Sequence, residues 1–83
     1  MPHVKRATMK KLQVWAVVYS YETLGNSRED VLDSWFRYKR HSAQRLKEQE
    51  SRYPRTEKGR FYLCRAVAWQ DDLEHWHVRR AQI

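Results

Sequence analysis

The chain has 83 residues, enough for one domain with one small core. Seventeen Lys and Arg against ten Asp and Glu give a formal charge of +7, so polyanionic partners are expected: nucleic acid, a nucleoprotein complex or an acidic protein surface. A single cysteine, Cys64, excludes an internal disulfide framework, and no apolar run reaches membrane-spanning length.

In chain order, residues 1–10 read as a basic flexible arm, with Lys5, Arg6 and Lys10, and residues 11–83 as a single small α+β domain. The start of the chain has no apolar stretch before residue 12. No signal peptide is therefore expected, and a cytoplasmic protein with no membrane partner is. Residues 11–22, KLQVWAVVYSYE, predict a first strand. Leu12, Val14, Ala16 and Val18 form one face. Trp15, Val17, Tyr19 and Tyr21 form the other, which is aromatic with polar tips. TLGNS turns the chain at Gly25 and Asn26.

From residue 28 the pattern predicts a helix to about residue 51. Asn26 or Ser27 can cap it, and Glu29, Asp30 and Asp33 fall in its first turns. Val31, Leu32, Trp35 and Phe36 then form an apolar stripe, continued by Ala43 and Leu46. A break near His41 and Ser42 would split this helix into two. Its second half is charged and carries Arg37, Arg40, Arg45 and Lys47. RYPRTEKG is a basic loop, GRFYLCRAVAW a second strand and HWHVRRAQI a third. The expected fold is α+β: a three-stranded sheet in β-α-β-β order, with one long or two short helices packed on one face. A parallel pairing of the first two strands would require a right-handed crossover.

The hairpin register decides where the histidines point, because a slip of one residue turns every side chain over. A four-residue loop at 71–74 pairs Gln70 with His75, Trp69 with Trp76 and Val67 with Val78. Phe61, Leu63, Val67, Trp69, Trp76 and Val78 then pack on the helix beside Leu12, Val14, Ala16 and Val18. This register also sets Arg65 against Arg80. Tyr62, His75, His77 and Arg79 join Trp15, Tyr19 and Tyr21 on a face turned away from the helix. One helix cannot cover both sides of a sheet, so that face is expected to bind a partner or a second copy of the chain.

Four chemistries suit such a face. A His-x-His pair can begin a zinc site, with Cys64, Asp71, Asp72 or His41 to add, but no spacing demands it, and neither a metal nor a cofactor is expected. In size and charge alone the chain is similar to small basic ribonucleases of toxin type. That likeness would imply acid–base work by His75 and His77, with Arg79 and Tyr62. KGRFYL is similar over about six residues to the glycine-aromatic strand of RNA-recognition-motif domains. It departs from that motif at Arg60, where the first aromatic belongs, and in lacking the later one. Aromatic and basic surfaces also serve protein interfaces, as in phage or mobile-element accessory proteins that inhibit a host protein.

The reading that follows is a non-enzymatic binding protein acting on nucleic acid or a nucleoprotein complex. Its expected site is Trp15, Tyr19, Tyr21, Tyr62, His75, His77 and Arg79 on the sheet, with Arg37, Arg40, Arg45 and Lys47 on the helix.

Overall fold

The computed structural model describes residues 10–81. The arm expected over residues 1–10 lies outside these, Lys10 apart. The elements are β1 (Leu12–Glu22), β2 (Arg28–Phe36), α1 (Lys39–Arg52), β3 (Gly59–Gln70) and β4 (Trp76–Arg80). The class is α+β, and the sheet has four strands in the order β2-β1-β3-β4. Every neighbouring pair is antiparallel, β1 and the strand after the helix included, so the condition for a right-handed crossover does not arise.

The largest correction falls on residues 28–36, which are a strand and not the first half of a helix. A β-bulge explains the misreading. Val17 pairs with Ser34 but its neighbour Val18 pairs with Leu32, which leaves Asp33 as the extra residue. The bulge changes the side-chain spacing from two to three. Leu32 and Trp35 therefore share a face, as they would on a helix. The true helix begins at Lys39 and is short.

Both hairpins turn by one device. Thr23 N donates to Ser27 O and Asn26 N to Thr23 O, with Asn26 in the left-handed region at φ 61. In the same way Asp71 N donates to His75 O and Glu74 N to Asp71 O, with Glu74 at φ 65. Three-residue loops of this kind place a left-handed residue at the closing position. Asn tolerates that conformation; Glu does so at a cost.

Counted between Gln70 and its partner, the second turn spans five residues, 71–75, one more than apolar matching implied. Gln70 pairs with Trp76, Trp69 with His77 and Ala68 with Val78. β3 is thus turned over relative to both β1 and β4 compared with the expected arrangement, while β4 keeps its expected side. Arg65 no longer opposes Arg80, which pairs with Ala66. Leu12, Val14, Ala16 and Val18 share their side of the sheet with Tyr62, Cys64, Ala66, Ala68 and Val78.

That side is concave and carries its own core of Val14, Ala16, Val18, Ala66 and Ala68. Three of the five are alanines, and small side chains let the sheet curl into a half-barrel. The outer strands β2 and β4 approach across its mouth without pairing. Trp35 meets Trp76 there at 5.1 Å between ring centroids, and Arg80 Nη1 lies 3.8 Å from Asp30 Oδ2.

The helix packs on the opposite, convex side, over the face of Trp15, Val17 and Tyr19 that was expected to be free. Val17 is fully buried beneath it. Ser42, also fully buried, donates from Oγ to Trp15 O at 2.7 Å. Two further bonds clamp α1 to the bulge: Arg45 Nε to Asp33 Oδ2 at 3.1 Å and Gln49 Nε2 to Asp33 Oδ1 at 2.8 Å. Burial pushes the Asp33 carboxyl up, but the donors Gln49, Ser34 and Arg45 outweigh it and leave the pKa lowered.

Candidate nucleic-acid interface

Helix α1 has 14 residues and is about 21 Å long. Strand β3 has 12 residues and spans about 40 Å. The helix therefore covers only part of the convex face. It lies against β1, β2 and β3, and not against β4. Its C-terminal end closes on an aromatic cluster: Tyr53 on Phe61, Phe61 on Tyr19, and Tyr19 on Tyr21. Gly59 is required there, because a Cβ would run into the Tyr19 ring.

At the other end the convex face is open. Trp69 and His77 are cross-strand partners with stacked rings, 5.5 Å apart and 19° from parallel. The next row holds Gln13, Val67 and Arg79, and beyond it Trp15 pairs with Arg65. Cations sit on both indoles. Lys39 Nζ lies 5.0 Å and the Arg65 guanidinium 5.5 Å from the Trp15 ring centroid. The Arg79 guanidinium lies 5.8 Å from that of Trp69. These are cation–π distances, which hold the charges beside the rings.

The start of the helix adds to this patch. Residues at the first turn of a helix favour negative charge. Here that turn has no acid and begins Lys39-Arg40, preceded by Arg37 and by a Tyr38 N-cap that makes no side-chain cap. Arg40 lies over the exposed Tyr38 ring at 5.4 Å, and His41 meets the same ring edge-on.

The two histidines of EHWHV share one acid. His77 Nε2 is 2.8 Å from Asp71 Oδ2, and His75 Nδ1 is 3.9 Å from the same oxygen. The His77 hydrogen bond and the backbone N–H groups of His75 and Leu73 pull the Asp71 pKa down to about 2. A charged carboxylate between two imidazoles repels a substrate phosphate, which works against a ribonuclease pair at this point. Among the described residues no group of three His, Cys, Asp or Glu side chains is placed to hold a metal ion.

The expected site residues divide. Trp15, His77 and Arg79 come together on the open end of the convex face, with Arg37 and Arg40 at the helix start. Tyr19 and Tyr21 lie at the closed end, where Tyr19 is packed and the Tyr21 hydroxyl donates to Glu29. Arg45 is tied to Asp33. Lys47 is exposed on the helix. His75 is exposed in the turn, and Tyr62 is on the concave side. Sequence reasoning missed Arg65 and Trp69, which the other register sent to the core, and Lys39, whose signal was its place beside Arg40 at a helix start.

No family model matches the chain, and no curated protein or solved structure matches it at a significant level.

Proposed function

We propose that this protein is a non-enzymatic binding protein acting on nucleic acid, or on a nucleoprotein complex, through the open end of the convex face. One observation carries the reading: Trp69, on sheet surface the helix leaves bare, and Trp15, beside the helix start, are both half-buried, and between them they hold three cations against their rings. Half-buried indoles with one face at the surface can stack unpaired bases, and the adjacent guanidinium and ammonium groups can meet the phosphates on either side. Lys39 and Arg40 oppose the helix dipole, so their place at the helix start is explained better by an anionic partner than by stability.

The test is binding of a labelled single-stranded oligonucleotide over a salt series. Engagement of Arg37, Lys39, Arg40, Arg65 and Arg79 predicts a log–log salt slope of roughly −3 to −4. Arg65→Gln with Arg79→Gln should flatten the slope by about 1.4. Affinity that ignores salt would end this reading. RNA cleavage lost in His77→Ala would replace it with catalysis.

A second reading rests on the mouth of the half-barrel, where Leu32 and Trp76 are exposed large apolar side chains. Such a rim suits a protein partner or a second copy of the chain. Sedimentation with and without the oligonucleotide separates the two: a stable dimer that leaves the oligonucleotide free supports the protein interface.

A further inference from the structure

The concave side holds a second cluster that the convex reading does not use. A pocket of ≈ 150 Å³ opens into the half-barrel, with Ala16 and Ala66 as floor and Val18, Leu32 and Val78 as walls. A cavity of this size with apolar walls accommodates a single benzene-like ring. Asp30, Tyr62 and Arg80 form its rim and also line a wider cleft of ≈ 410 Å³ that adds Ser20, Arg28 and Arg60. The two spaces therefore adjoin across these three residues, one apolar and the other cationic.

The charges of the cleft are unbalanced. Three guanidiniums face one carboxylate, leaving two positive charges. Arg28 is held by Ser20, with Nε 3.2 Å from its Oγ and Nη2 3.3 Å from its backbone oxygen. Arg80 is 3.8 Å from Asp30, whose Oδ2 already accepts a 2.7 Å bond from the Tyr62 hydroxyl. That bond and Ser20 lower the Asp30 pKa, so this acid stays ionised. The Arg60 side chain makes no hydrogen bond or ion pair among the described residues. Arg55 and Glu57, in the neighbouring cleft with Arg28 and Arg60, offset each other. Like charges on one sheet face disfavour the fold unless something neutralises them.

We propose that the concave side binds a free phosphate monoester carrying a small flat apolar group, with the phosphate on Arg28, Arg60 and Arg80 and the apolar group in the pocket. A phosphate monoester carries close to two negative charges at neutral pH, which matches the surplus, and guanidiniums bind it by forked hydrogen bonds. This site is independent of the convex surface and stands whether or not that surface binds nucleic acid.

Cys64 lines the pocket and is the only cysteine of the chain, so its alkylation reports occupancy directly. The experiment titrates the full chain with phenyl phosphate and with inorganic phosphate, following binding calorimetrically and Cys64 alkylation by iodoacetamide. Phenyl phosphate should bind at least about tenfold more tightly than inorganic phosphate and slow alkylation severalfold at saturation. Arg60→Gln should weaken both ligands by about tenfold. Ala66→Leu should remove the advantage of phenyl phosphate and leave inorganic phosphate unchanged. Because Ala66 is buried, Leu32→Trp, at a half-exposed position on the pocket wall, provides the same block without burdening the core. Equal affinity for the two ligands, full alkylation of Cys64 at saturating phenyl phosphate, or indifference to Arg60→Gln would each overturn the site.

Discussion

The two ends of the convex face are built from the same alternation and do different work. Tyr19 and Trp69 are both half-buried aromatic residues pointing to that side of the sheet. At the Tyr19 end the helix terminus, Phe61 and Gly59 close over the ring, and aromatic area becomes packing. At the Trp69 end no helix reaches, β4 stands bare, and the rings hold cations instead. Aromatic content alone therefore does not mark a site. What matters is whether a second layer is long enough to cover it.

The sharpest way to break this comparison is to truncate one ring from each end. Tyr19→Ala should cost about 3 kcal/mol of stability through lost packing, seen in denaturant melts, and leave oligonucleotide affinity within about twofold. Trp69→Ala should do the reverse, lowering affinity about tenfold through a lost stacking platform with a small change in melting. If both variants changed stability alone, the open end would be scaffold too.

A smaller effect compares two valines on that face. Val17 is fully buried under the helix, whereas Val67 is half-buried on the open surface. Val17→Ala should cost about 2 kcal/mol, and Val67→Ala under about 1 kcal/mol, in the same melts. Equal losses would mean that the open end is covered by something other than the helix.

The turn behind the open end gives a change of opposite sign. Glu74 adopts φ 65, where a side chain is strained. Glu74→Gly should stabilise the protein by about 1 kcal/mol, because glycine reaches this conformation freely. An unchanged melting temperature would show that the turn relaxes in solution.

The smallest effect concerns pH. Asp71 has its pKa lowered to about 2 by His77 and by the backbone N–H groups of His75 and Leu73. A depressed carboxyl favours the folded state only when ionised. Its contribution is thus complete above the ordinary value of 3.8 and lost as pH falls toward about 2. The group is partly exposed to solvent, so the change is slight. Comparison of the native chain with Asp71→Asn should show a difference in melting at neutral pH that shrinks as pH falls through about 2.

Several features were legible in the residues themselves. The α+β class, β1, the chain reversal at Gly25 and Asn26, and the strand character of β3 and β4 follow from local pattern. So does the burial of Val14, Ala16 and Val18, since alternation fixes which side chains share a face. The sequence also contained Trp15, His77 and Arg79 as members of one surface, and the structure keeps them together.

Three decisions were tertiary. The bulge at Asp33 and Ser34 gave β2 the apolar spacing of a helix, and only pairing with β1 resolved it. The register of β3 against β1, with the extra residue in the Asp71–His75 turn, put Trp69 and Arg65 on the open surface and kept Trp76 on the concave one. The side on which α1 docked was chosen by Ser42, Arg45 and Gln49, whose polar groups find Trp15 O and the bulge carboxylate there. Local pattern sets which residues travel together. Register, bulges and the docking of a short helix set which way they face, because each depends on contacts between segments distant in the chain.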